Sequence, residues 1–215
     1  MSESIKHPYV GVSGVTSPDM QATIETIAKE AGLLSEGRRL ALGVKAVHKT
    51  QMLDIENKYG GEWYPVGEAA FTSALRPDTS NPHTVAVAQA YFDVAYVDNP
   101  GYRDLFLQRI VNRGKPWLRA IQFDMLPWHK DNNEIWRFLE KVKGEGVEVF
   151  LQAHKNAMET LGPKGTAQLL GRYVHLLDYV LFDASHGTGT RLDTAALEPV
   201  IPPAYATLRP RQTAV

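Results

Sequence analysis

The sequence contains no cysteine. That excludes disulfides, thiolate metal ligands and a thiol nucleophile or base. It also lacks an excess of either charge: 23 basic and 24 acidic residues leave a formal net charge of −1. A nucleic-acid groove or a surface for acidic lipid is therefore not expected. No apolar run approaches the ~20 residues that span a bilayer. The opening residues MSESIKHPYVGV hold no apolar signal core, so the expectation is a soluble, cytoplasmic protein without a membrane partner. There is no repeat, heptad or low-complexity tract. No Gly-x-Gly-x-x-Gly follows the first apolar run, which argues against a dinucleotide-binding Rossmann unit.

The residues present suit one packed domain over residues 1–215, with 44% hydrophobic and 22% charged residues. Short β-rich runs alternate with helical periodicity, the pattern of βα units and a parallel sheet. Strands are expected at 9–14, 39–47, 84–92, 117–125, 147–152 and 179–183. Two weaker segments, 63–66 and 204–208, would bring the count to eight. Helices are expected at 18–31, 51–59, 100–114, 133–146 and 163–177, with a short one near Ala195, while 68–75 is open between helix and irregular chain. Ser17-Pro18-Asp19 is a helix start: a capping hydroxyl, proline in the first turn and an acid near the positive end of the dipole. Residues 62–82 are harder to assign and are expected to be an irregular segment or an insertion. The resulting fold class is α/β, a (β/α)8 TIM-type barrel, incomplete or atypical at its C-terminal end. Its 215 residues lie near the lower end for that architecture, typically ~250.

Active groups of such barrels gather at the C-terminal ends of strands. Here those ends are polar: Ser13; Lys45 with His48 beyond; Gln122 and Asp124; Gln152 and His154; Asp183 followed by Ser185-His186-Gly187-Thr188-Gly189. Period-two alternation puts Gln122 with Asp124, and Gln152 with His154, on one side of each strand. Any one of them alone is an ordinary polar strand end. Five strands sharing the feature point to a common pocket. Gly187-Thr188-Gly189 is suited to hold an anion through free backbone N–H groups, or to make a tight turn.

These residues resemble the phosphoribosylanthranilate isomerase family of sugar-phosphate-binding barrels. Val12-Ser13-Gly14-Val15-Thr16 is similar to that family's opening strand, with Ser13 at the place of its cysteine. Ile121-Gln122-Phe123-Asp124 is similar to its Gln-Leu-His-Gly strand. The segment from Leu181 to Gly189, with Leu192-Asp193, is similar to its sixth strand and the loop after it. The resemblance covers about residues 9–193. It implies ring opening and proton transfer in an aminoaldose, with Asp183 as acid and Ser13 as base. A serine hydroxyl is far harder to ionise than a thiol of pKa ~8.5, so Ser13 would need His154 or Lys45 beside it. The family's later glycine-rich phosphate loops have no counterpart, since residues 194–215 contain no glycine.

Three functions stand as expectations. The first is an isomerase-like enzyme for a small polar or phosphorylated substrate, with Asp183, Ser13 and His154 catalytic. Lys45, Gln122, Asp124, Gln152, His186, Gly187, Thr188 and Gly189 would bind substrate, with no cofactor and no metal. The second is a non-catalytic scaffold relative that lost the base. The third is a metal-dependent hydrolase or aldolase barrel using His48, His154, His186, Asp124 and Asp183, although no HxH or HxxxH spacing supports it. A homodimer is compatible with each.

Overall fold

In the computed structural model, residues 9–34, 38–58, 60, 62–76, 82–130, 133–184, 194–208 and 213–214 are described. Strands and helices alternate along them, and every strand pairing defined residue by residue is parallel. This is the α/β pattern of an incomplete TIM-type barrel. The chain divides into two compact units, with the boundary between Phe123 and Asp124. Among the described residues no helix is long and apolar enough to cross a membrane.

The His7–Phe123 unit holds β1 (Tyr9–Ser13), α1 (Pro18–Glu30), β2 (Arg39–Val47), α2 (His48–Met52), α3 (Gly67–Leu75), β3 (Thr84–Tyr91), α4 (Pro100–Gly114) and most of β4 (Ala120–Asp124). Ser17 caps α1 as its sequence indicates, its Oγ accepting from the Met20 amide at 3.2 Å. Leu40, Leu42, Val44 and Ala46 on one side of β2 are fully buried, as are Phe71, Leu75, Phe106 and Ile110 from α3 and α4. Each such large side chain contributes about 1.5–3 kcal/mol by leaving water. The opposite side of these strands carries Ser13, Gly43, Lys45 and Gln89, which is the face that matters for chemistry. Arg113, buried in α4, fixes the connection after β2: its Nη1 donates to Gln51 Oε1 at 3.1 Å, and its Nη2 pairs with Asp54 at 3.0 Å.

The Asp124–Val215 unit holds a 3-10 turn (Trp128–Lys130), α5 (Asn133–Gly144), β5 (Glu148–His154), α6 (Lys155–Tyr173), β6 (Tyr179–Asp183), α7 (Thr194–Leu197), α8 (Ile201–Thr207) and β7 (Thr213–Ala214). Trp128 is fully buried and donates its indole N–H to the Gln152 carbonyl at 3.2 Å. Asp178 joins α5 to β5, its Oδ2 accepting from Lys143 Nζ at 2.7 Å and from the Val149 amide at 2.8 Å.

Four sequence expectations are corrected. The helix after β2 starts at once, at His48, and ends at Met52, because Asp54 takes a left-handed backbone (φ 54°) that stops helical propagation. Residues 63–66 form no strand: Pro65 has no N–H for a ladder, and its carbonyl accepts instead from Gln51 Nε2 at 3.0 Å. Residues 201–207 are helical rather than a last strand. Pro202 and Pro203 sit in the first turn, where a missing N–H costs nothing. Finally, α6 begins at Lys155, eight residues before the expected start at Pro163, and is interrupted at Gly162 (φ 65°, ψ 174°).

Candidate active site

In the first unit the polar strand ends converge through one residue that sequence reasoning passed over. Ser13 pairs with Gly43 across β1 and β2, and Lys45 pairs with Gln89 across β2 and β3. Gly43 has no side chain, so the Gln89 carboxamide lies across β2. A Cβ on Gly43 would stand 2.6 Å from Gln89 Cδ. Through that gap Ser13 Oγ donates to Gln89 Oε1 at 2.6 Å, and Gln89 Nε2 donates to Gln122 Oε1 at 3.2 Å. Three of the four strands of the unit are thus tied by a hydroxyl–amide–amide chain. Lys45 Nζ lies 4.8 Å from the centre of the Tyr64 ring. Trp63 covers Gly14, whose φ of +83° and 3.1 Å clearance to the indole favour glycine. The signal for Gln89 is present in the sequence: it is the one strongly polar residue within Val85 to Tyr91, on the same parity as Lys45.

The Ser13 hydroxyl is engaged with an amide oxygen, which is not a proton acceptor in acid/base catalysis. His48 stacks on Tyr96, with ring centres 4.8 Å apart and planes 23° apart, and lies 5.4 Å from the Tyr102 ring. Burial pushes the Tyr102 phenol up to about 12, with Asp93 and Tyr96 raising it further against a backbone hydrogen bond that lowers it. His48 therefore belongs to an aromatic cluster.

In the second unit, Gln152, His154 and Asp183 come together. His154 and Asp183 are register partners, and Gln152 Nε2 donates to Asp183 Oδ2 at 2.8 Å. The buried His154 caps α6, its Nδ1 accepting from the Ala157 amide at 3.3 Å. Its ring meets His129 edge-on at 5.5 Å. That acceptor role leaves the Nδ1 position unprotonated.

Asp124 is the electrostatic focus. Burial pushes its carboxyl from an ordinary 3.8 up to about 6, the Met125 amide hydrogen bond works against this, and the charge of Asp183 adds to it. Met125 itself holds a left-handed backbone (φ 58°), a strained geometry of the kind that accumulates at functional sites. Two carboxylates, one poised to change protonation near neutral pH, are suited to general acid/base work. His186, Gly187, Thr188 and Gly189 lie outside the described residues. Among the described residues no group of three or more His, Asp or Glu side chains is placed to hold a metal. An open groove of about 560 Å³ is lined by Glu68, Thr72, Arg76 and Trp117. Trp117 precedes β4.

No protein-family model matches the chain, and no curated protein matches it. Among solved structures, two mutant forms of the tryptophan synthase alpha-subunit from the hyperthermophile Pyrococcus furiosus are similar. Both are 18% identical over 97% of this chain; the match spans 77% of one at a TM-score of 0.52 and 76% of the other at 0.49. At that identity the likeness establishes the fold alone: the chain shares the TIM-barrel architecture of the tryptophan synthase alpha-subunit.

Proposed function

We propose that this protein is a TIM-barrel enzyme that performs acid/base chemistry on a small polar or phosphorylated metabolite. The reaction type is that of phosphoribosylanthranilate isomerase: proton transfer between an aminoaldose and an aminoketose. The observation that carries the reading is the half-buried Asp124 carboxyl, raised to about 6 by burial and by the charge of Asp183. A group with that affinity both gives and takes a proton at neutral pH. Gln152 grips the Asp183 carboxylate by one oxygen and so fixes its orientation. In this scheme the two aspartates divide the acid and base roles. The fold likeness supports the barrel and not the reaction.

The test is conversion of phosphoribosylanthranilate, followed by fluorescence, by wild type, D124N and D183N. Wild-type turnover that bends near pH 6 and is lost in both variants is the expected result. Wild type that leaves this substrate and a panel of aldose and ketose phosphates unchanged would reject the proposal. A non-catalytic relative is the second reading, favoured by the Ser13–Gln89 bond, which stands where the family has a thiol base. Binding of sugar phosphates without turnover would select it.

A further inference from the structure

We infer that the strand ends of the His7–Phe123 unit form a subsite for a hydroxyl-bearing anion, with Gln89 as its central contact and Gly43 as the residue that positions it. This inference stands on the His7–Phe123 unit by itself and does not depend on turnover.

The direction of the hydrogen bonds sets what the subsite reads. Ser13 spends its proton on Gln89 Oε1, so its oxygen is left as an acceptor for a ligand hydroxyl. Gln89 Nε2 spends one hydrogen on Gln122 and keeps a second to donate. A carboxamide held at both ends presents its donor in a fixed direction without the entropy cost of ordering it on binding. Lys45 supplies the charge. It is the register partner of Gln89, it rests against the Tyr64 ring, and among the described residues no carboxylate pairs with it. Tyr91, 43% exposed and two residues beyond Gln89 on the same face of β3, adds an accessible ring. An acceptor, a donor, a cation and aromatic surface on one face suit a hydroxylated chain or ring that ends in phosphate or carboxylate.

Gly43 makes the arrangement breakable without touching a ligand-binding atom. An alanine there would put Cβ against Gln89 Cδ and swing the carboxamide away from Ser13. The experiment is titration calorimetry at pH 7.5 on the full chain with ribose 5-phosphate, gluconate, ribose and inorganic phosphate. Wild type should bind ribose 5-phosphate or gluconate at least tenfold more tightly than ribose or phosphate. Q89L and G43A should each lose about tenfold for the hydroxylated anion, and K45M should lose it more completely. Circular dichroism and melting of each variant without ligand provide the folding control. If no hydroxylated anion binds wild type, if phosphate alone binds as tightly, or if Q89L and G43A both bind like wild type, the inference is overturned. Turnover that survives in Q89L with unchanged affinity defeats the subsite alone. Ribose 5-phosphate binding with no turnover of any substrate defeats the catalytic reading alone.

Discussion

Replacing Asp124 by Asn keeps shape and hydrogen-bonding capacity while removing a titration. The folded carboxyl ionises near 6 rather than at its ordinary 3.8, so the native state holds its proton more tightly than the unfolded chain. Below pH 3.8 both states are protonated and Asp124 costs nothing. Between 3.8 and 6 the unfolded state alone loses the proton, so wild-type stability falls as pH rises. Above 6 the penalty is complete, at about 3 kcal/mol for a carboxyl moved this far, using roughly 1.4 kcal/mol per pH unit. Asn escapes it. D124N is therefore expected to be about 2–3 kcal/mol more stable than wild type at pH 7.5, relative to their difference at pH 4. For a chain of 215 residues that corresponds to roughly 4–12 °C in melting temperature. Urea unfolding of both proteins at half-unit steps from pH 4 to 8 reads the curve directly. A difference that stays constant across this range, or one that widens toward acid, refutes the burial argument and with it the acid/base role. Gain of stability with loss of turnover in the same variant is the signature of a group kept for function.

Other substitutions test the frame around the site. Ser17→Ala removes the oxygen that receives the Met20 amide and should cost about 1 kcal/mol in denaturant unfolding. Asp178→Ala leaves the Val149 amide and Lys143 without their shared acceptor; a loss of about 2 kcal/mol is expected, and a change below the measurement error would show that water replaces it. Arg113→Met strips Gln51 and Asp54 of their common donor. It should lower stability by about 2 kcal/mol and speed amide exchange in 48–58 before the strands exchange.

How much is legible in the sequence varies with the physics behind each feature. The helix 100–114 and the strand 39–47 are legible to the residue. Their apolar periodicity is strong, and Pro100 and Gly114 punctuate the helix. The proline-rich segment at 202 and 203 is ambiguous in sequence and suggests a short strand beyond it, whereas in the fold those prolines initiate a helix. The same rigid ring interrupts one element or starts another, depending on the contacts its neighbours make. The helix expected at 51–59 ends at Met52, just before the left-handed Asp54, whose carboxylate pairs with Arg113 on another helix.

Composition and local pattern alone determined that this chain has no thiol chemistry, that its strands are parallel, and that Ser13, Lys45, Gln122, Gln152, His154 and Asp183 stand on strands or at their ends. Periodicity encodes such facts within a few residues. Only the tertiary structure decided what those side chains do. It set Gln89 between Ser13 and Gln122 because Gly43 leaves room, gave His154 to the start of α6, and displaced the Asp124 carboxyl toward neutrality. Burial and proximity are properties of neighbours distant in the chain, and no local window of sequence contains them.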